Sequence, residues 1–184
     1  MRITNASATI RSTLEQIWSW LGNVTDPEVP ALSIVDLGIV REVAWSGENG
    51  DECVITITPT YSGCPATAVI QQNIREELEK HGLRARLQVC LSPPWTTDWL
   101  SSQAAEKLHA FGIAPPAAHA VGPGETPSGL PILESGSGKP QTQPVCPRCG
   151  SARTTLISQF GSTLCKALYR CEECLEPFDF FKRH

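Results

Sequence analysis

The chain has 184 residues, 41% hydrophobic and 18% charged, enough for one ordinary domain plus a small one. Its formal charge of −4 is uneven: Lys+Arg against Asp+Glu stands at 8 to 13 over residues 1–113, 1 to 2 over 114–145 and 6 to 4 over 146–184. The acidic main body argues against general nucleic-acid binding there and leaves the question open only for the tail.

Met1 to Ser7 contains no apolar h-region, and no apolar run approaches the roughly 18 residues of a membrane span. The expected location is therefore cytoplasmic, with no membrane partner. The eight cysteines are expected as reduced thiols or metal ligands, not a disulfide framework. Ile10, Leu14, Ile17, Trp18 and Leu21 recur at helical spacing, with Ser7 or Thr9 available as cap and Gly22-Asn23 as the end. Asp26-Pro27-Glu28-Val29-Pro30 is a loop whose prolines bar a regular ladder. Ile39 to Trp45 is an expected strand, joined through Ser46-Gly47-Glu48-Asn49-Gly50 to a second strand over 52–58.

That second strand feeds Pro59-Thr60-Tyr61-Ser62-Gly63-Cys64-Pro65, from which a helical run leaves. Pro65 suits the first helical position, which puts Cys64 at or beside the N-cap, facing unpaired N–H groups that favour a thiolate. A tight strand-to-helix turn with Cys64 as a small apolar filler accounts for the same residues. The helix should bury Ala66, Ile70, Ile74 and Leu78, with Val69 beside them, and end at His81-Gly82. In the next strand Leu83, Ala85, Leu87, Val89 and Leu91 alternate with Arg84, Arg86, Gln88 and Cys90, the pattern of one buried and one wet face. Cys53 shares a phase with Ile55 and Ile57, whereas Cys90 falls in the polar phase. Pro93-Pro94 stops the strand, and the hydroxyls and Asp98 can cap a helix over 101–111 with Ala104, Leu108 and Phe111 inward. Trp95 and Trp99 are read as a core lid in preference to a pocket wall.

From Ala114 to Pro144 the composition turns to Pro, Gly, Ser and Thr, a linker whose one apolar patch, Leu130-Pro131-Ile132-Leu133, could dock on the first domain. The tail then carries Cys146-Pro147-Arg148-Cys149 and Cys171-Glu172-Glu173-Cys174, with 21 residues between the pairs. Two such turns supply the four thiolates of a tetrahedral structural zinc, and 153–170 reads as hairpin strands between them. Some 40 residues bury too little surface to fold reliably alone, and metal binding supplies folding free energy on the order of 10 kcal/mol. Iron, as a rubredoxin-like centre or a cluster, remains the alternative on spacing alone. A redox Cys-x-x-Cys is expected singly and beside a βαβ pattern, which is not expected here. Cys165, a fifth thiol in this module, reads as a buried apolar residue.

The fold expected is α+β: a small α/β sandwich with a short mixed sheet over 1–113, a linker over 114–144 and a zinc-ribbon β domain over 145–184. The stretches Asp26-Pro27-Glu28-Val29-Pro30, Asp36-Leu37-Gly38-Ile39-Val40 and Thr56 to Pro65 resemble the α/β domain of iron–sulfur cluster assembly proteins, which also occurs in SufT-like assembly factors. Trp95-Thr96-Thr97-Asp98-Trp99, Gly112 to Pro116, and Phe160 to Asp179 narrow the likeness. Together they resemble the PaaD family, a component of bacterial phenylacetyl-CoA epoxidase systems. The resemblance implies an accessory role in aerobic phenylacetate breakdown, maturing metal centres and not catalytic by itself. Its partners would be a di-iron oxygenase and an iron–sulfur flavin reductase. It also implies Cys64 as the functional thiol with Asp36 and Thr60 near it, and leaves open a transient iron or iron–sulfur cluster there. The long linker and the ending Lys182-Arg183-His184 depart from the pattern without touching the thiol or the quartet.

Two other classes stay in view. A thiol enzyme using Cys64 needs a base, and the histidines at 81, 109, 119 and 184 sit in no triad context. A nucleic-acid-binding ribbon would use Phe160, Tyr169, Phe178, Phe180 and Phe181 with Lys166, Arg170, Lys182 and Arg183, diluted by Glu172, Glu173, Glu176 and Asp179. Oligomeric state is not legible.

Overall fold

The structure, a computed structural model, describes residues 12–47, 51–116 and 143–183. Ser7, Thr9, Ile10, residues 48–50, and the linker from 117 to 142 with its Leu130 to Leu133 patch lie outside the described residues. The chain divides into two compact units, Met1–Ser101 and Ser102–His184, described in turn.

In the first unit, helix α1 (Leu14–Leu21) starts at Thr13, whose hydroxyl accepts from the Gln16 N–H while the Gln16 side chain accepts from the Thr13 N–H. This capping box, not Ser7 or Thr9, sets the start, because it satisfies two orphan donors at once. Ile17 and Leu21 are fully buried, each contributing roughly 2 kcal/mol. Strand β1 (Val40–Ser46) pairs antiparallel with β2 (Glu52–Ile57), and β2 pairs parallel with β3 (Ala85–Val89), giving the order β1-β2-β3. Helix α2 (Ala66–Lys80) makes the parallel crossover, so β2-α2-β3 is a βαβ unit. None was expected: the strand, the helix and the next strand are each legible in the sequence, but their parallel pairing is not. The unit carries Cys53 on β2 and Cys64 in the turn, with no Cys-x-x-Cys. Ile55 and Ile57 from the central strand, Ile70, Ile74 and Leu78 from α2, and Leu32, Ile34 and Leu37 from the loop form the core.

Four apolar residues depart from expectation, among them Leu14 of α1, which is 42% exposed. Val69 is 47% exposed, and Val89 and Leu91 are 42% and 53% exposed. The alternation in β3 is real, but β3 is an edge strand and only part of its apolar phase is covered. His81 and Gly82 end α2 as expected, with Gly82 at φ 69°. A 3₁₀ turn, Thr97–Trp99, is capped by the Thr96 hydroxyl.

The second unit contains helix α3 (Ala104–Ala110) and strands β4 (Thr154–Ser158), β5 (Lys166–Cys171) and β6 (Pro177–Phe181), all antiparallel in the order β4-β5-β6. Ala104 and Leu108 are buried, but Phe111 is 59% exposed, because α3 ends at Ala110 and Phe111 leaves its inward row. The units part at Ser101, earlier than the 113/114 boundary expected from composition. The reason is local: Ala114 donates its N–H to Asp179 at 2.8 Å and accepts from the Phe181 N–H at 2.9 Å, adding itself to the edge of β6.

Candidate functional site: a thiol turn and a cysteine quartet

The turn after β2 is a pair of linked reverse turns. The Cys64 N–H donates to the Tyr61 carbonyl at 3.1 Å, and the Cys64 carbonyl accepts from the Thr67 N–H at 3.1 Å. Pro65 has φ −65° and ψ −25°, is itself the cap residue and offers no side-chain cap. Cys64 therefore precedes the cap by one residue, because the proline ring already holds helical φ at position 65. The main chain of Cys64 is satisfied on both sides, and its side chain is half-exposed. Ser62 and Gly63 are exposed, and a Cβ added at Gly63 would meet nothing within 4 Å. The thiol thus stands beside open ground at the carboxyl end of two parallel strands, where ligands of α/β sheets gather. Thr60, in the same turn, is half-buried.

Asp36 is 7% exposed and engaged in holding the loop. One carboxylate oxygen accepts from the Ser33 N–H and hydroxyl at 3.0 and 2.8 Å, the other from the Ser101 hydroxyl at 2.9 Å. The Ser101 N–H donates to the Asp36 carbonyl at 2.8 Å. Asp26 is likewise buried, accepting from the Glu28 and Val29 N–H groups at 2.8 Å, an Asx turn. Gly38 has φ 63°, and a Cβ there would lie 2.3 Å from the Trp99 carbonyl oxygen. Trp95 donates its indole N–H to the Leu37 carbonyl at 2.8 Å, and the Arg41 guanidinium lies 3.5 Å over the Trp99 ring. The Asp-Leu-Gly and Trp-Thr-Thr-Asp-Trp stretches are therefore two sides of one contact, and the tryptophans are its lid, as expected.

The quartet is brought together fully. The sulfurs of Cys146, Cys149, Cys171 and Cys174 lie within 4.8 Å of one another, with Cys146–Cys174 at 3.8 Å and Cys149–Cys171 at 3.5 Å. A tetrahedron of sulfurs with bonds of about 2.3 Å has edges of about 3.8 Å, so the donor set fits one zinc ion. The two turns are built alike. Cys146 N–H donates to Ser151 O at 2.9 Å and Cys171 N–H to Glu176 O at 3.0 Å. Each turn ends on a left-handed residue, Gly150 at φ 75° and Leu175 at φ 63°.

Main-chain N–H groups converge on the sulfurs. At Cys171 the Cys174 N–H, helped by that of Glu173 and the neighbouring thiols, outweighs burial and brings the thiol down to about 6. At Cys174 the Glu176 N–H pulls downward, but burial and the sulfurs of Cys171, Cys149 and Cys146 push the thiol up to about 12. At Cys149 the Ser151 N–H also lowers, yet Cys171, burial and Cys146 leave it raised. The Cys171 thiolate is readily formed, while Cys149 and Cys174 hold their protons against it. A dication removes that conflict by replacing the protons.

The other cysteines stand apart from these groups. Cys53 is buried and its thiol is pushed up by desolvation. Cys90 donates to the Ser92 carbonyl at 3.0 Å, and Cys165 is 4% exposed with its sulfur 3.0 Å from the Thr163 hydroxyl. The left-handed Leu175 is not foreseen from the sequence. Its signal is its place, directly after the second Cys-x-x-Cys, where Gly150 follows the first.

Comparison with known proteins follows this division. Residues 14–86 match the family described as iron–sulfur cluster assembly protein, and residues 133–182 the family described as PaaD zinc beta ribbon domain. An Fe-S protein maturation auxiliary factor of Porphyromonas gingivalis is 32% identical over 98 residues, 52% of this chain and 90% of that protein. A crystal structure of a domain of unknown function, DUF59, from Bacillus anthracis shares 30% identity at a TM-score of 0.46, covering 51% of this chain and 89% of that one. The D component of the 1,2-phenylacetyl-CoA epoxidase of Escherichia coli K12 is 47% identical over 170 residues, 92% of each chain. A match of that length runs through both units, and the chain belongs to the PaaD family of phenylacetyl-CoA epoxidase components.

Proposed function

We propose that this chain is a non-catalytic accessory component of a phenylacetyl-CoA epoxidase system that helps assemble the iron–sulfur or di-iron centre of its partner subunits. Cys64 contacts the iron, the cluster or the client's ligand loop, and the quartet holds one structural zinc that keeps a docking module folded. The observation that carries this reading is the Cys64 turn: a half-exposed thiol, its main chain fully bonded, beside Gly63, where an added Cβ would meet nothing within 4 Å. When zinc is bound, it supplies charge neutralisation and folding free energy to the four thiolates, not a reaction centre.

The thiol-enzyme reading finds little support. His81 caps the far end of α2, stacked on Trp20 at 4.0 Å and 3.7 Å from Glu77. The length of α2, 15 residues, holds it roughly 20 Å from the Cys64 end. The nucleic-acid reading also weakens. Lys166 is 4% exposed and faces Asp179 at 3.5 Å, Arg153 pairs with Glu173 at 2.6 Å, and Phe178 and Phe181 are buried.

Elemental analysis of the full chain purified without oxygen, as wild type and Cys64→Ala, tests the proposal beside epoxidase activity in cells. One zinc in both forms, with iron and sulfide lost only in Cys64→Ala, makes the thiol a cargo site. Unchanged cellular epoxidase activity in Cys64→Ala sinks the thiol role, and iron in place of zinc at the quartet overturns the structural-zinc reading.

A further inference from the structure

The second-unit sheet has two unlike edges. β6 is covered by Ala114. β4 pairs with β5 on one side and has no second pairing neighbour among the described residues. Edge strands are normally guarded by charges, prolines or bulges. β4 reads Thr154-Thr155-Leu156-Ile157-Ser158, without charge or proline, and its one guard is a bulge between Leu156 and Ser158. Leu156 and Ile157 are 44% and 53% exposed.

A hollow flanks this strand on each face of the sheet. One, of about 370 Å³, is lined by Thr155, Ile157, Arg170, Glu172 and Leu175. The other, of about 280 Å³, is lined by Leu156, Phe160, Tyr169, Phe180 and Lys182 among others. Thr155 stands opposite Arg170 and Leu156 opposite Tyr169, so neighbouring residues of β4 look into different hollows. An open main-chain edge with a pocket for alternate side chains is what strand addition requires.

We propose that β4 receives an extended segment of a partner subunit, which adds a strand, sets apolar side chains into the two hollows and turns a carboxylate toward Lys182. This deepens the docking role proposed above and rests on it. Charge complementarity selects the occupant. Lys182 lies 4.6 Å over the Phe160 ring at the rim of the aromatic hollow, a cation suited to an acidic neighbour. In the chain's own upstream segment the apolar run Leu130-Pro131-Ile132-Leu133 is interrupted by proline, and Ser135-Gly136-Ser137-Gly138-Lys139-Pro140 is poor in strand formers.

The test uses the full-length, zinc-loaded chain and each purified subunit of its epoxidase system. Affinity and amide exchange over residues 155–158 are measured for wild type, Ile157→Lys and Lys182→Glu. Both variants are required to keep one zinc and the wild-type circular dichroism. The expected result is slowed exchange at 155–158 on binding one subunit, at least tenfold weaker binding by Ile157→Lys, and a loss by Lys182→Glu that shrinks at high salt. A subunit that binds both variants normally and protects other residues overturns the edge site while leaving the docking role. Failure of wild type to bind any subunit overturns both. Protection in the isolated monomer of those 155–158 amides that do not bond to β5 assigns the edge to the chain itself, and protection of them that rises with concentration assigns it to a second copy; either result overturns the proposal.

Discussion

Stripping the metal, or removing one ligand by Cys171→Ser, tests the quartet most directly. The core that surrounds it consists of Ala114, Cys146, Cys171 and Phe178, with Tyr169, Cys174 and Phe180 packed against it. Two of the four buried members are cysteines of the quartet, and the further buried apolar side chains of the ribbon are Cys165, Ala167 and Phe181, still a thin core. A core in so small a module rarely supplies more than roughly 3–5 kcal/mol, and one this thin sits near zero once chain entropy is counted. Metal binding adds on the order of 10 kcal/mol. The metal-free ribbon is therefore expected to be largely unfolded, not merely softened. The assay is amide exchange along β5 in the full chain, beside zinc stoichiometry by elemental analysis, before and after a strong chelator. All five tryptophans precede Ser101, so their fluorescence reports the first unit separately. The expected outcome is loss of β5 protection with loss of zinc, in wild type on chelation and in Cys171→Ser from the outset. Slow β5 exchange in a chain shown to be metal-free, or one tightly held zinc in Cys171→Ser, refutes this reasoning.

Three further outcomes follow from particular residues. Leu175 is held at φ 63° and is 60% exposed; Leu175→Gly should stabilise the ribbon by about 0.5–1 kcal/mol, and Gly150→Ala should destabilise it by about 1 kcal/mol, both read by chelator competition. Gly38→Ala places a Cβ against the Trp99 carbonyl at positive φ, and a loss of about 3 kcal/mol with altered tryptophan emission is expected in urea unfolding. Glu77 is 9% exposed, and its carboxyl is held below its ordinary 4.5 first by the Lys80 ammonium at 2.7 Å and then by the Asn23 amide at 3.1 Å. Because its folded pKa is lowered, its stabilising contribution is present above about 4.5 and fades as pH falls through the lowered value. Glu77→Gln should thus cost about 1 kcal/mol at pH 7 and progressively less as pH falls below about 4.5, followed by denaturant titration across that range.

Local chemistry is legible in the sequence wherever its cause is local. The quartet can be read from spacing because each Cys-x-x-Cys sits in a turn closed by hydrogen bonds between residues close in sequence. The strand-to-helix passage at 59–66 is legible because proline and glycine fix dihedrals without help from distant residues. What escapes are the facts that depend on neighbours. Val89, Leu91 and Val69 carry the periodicity of a core, but periodicity says which residues share a face, not whether anything covers it. The position of Ala114 shows the same limit. Composition marks it as the first residue of a linker, yet two hydrogen bonds make it an added edge on β6. The parallel pairing of β2 with β3 likewise depends on α2 crossing the sheet, which no single window of sequence contains.

Structural duty and functional candidacy separate once each motif is asked what its neighbours demand of it. Gly38 must be glycine because the Trp99 carbonyl leaves no room, Asp36 is required by Ser33 and Ser101, and Trp95 by the Leu37 carbonyl. These residues answer fully to packing, although they belong to the stretches that carry the family resemblance. The thiol turn answers differently. Its helical φ explains Pro65 and packing explains the buried Ala66 and Pro59, but a Cβ added at position 63 would meet nothing within 4 Å, and no cap bond requires a side chain at the helix start. A small residue beside a half-exposed thiol, with the main chain already satisfied, leaves room for something outside the fold. A bulky substitution such as Gly63→Trp should therefore leave folding intact while lowering epoxidase maturation in cells. If maturation persisted, the open ground would be incidental, and Cys64 would lose its strongest claim over Cys53, Cys90 and Cys165.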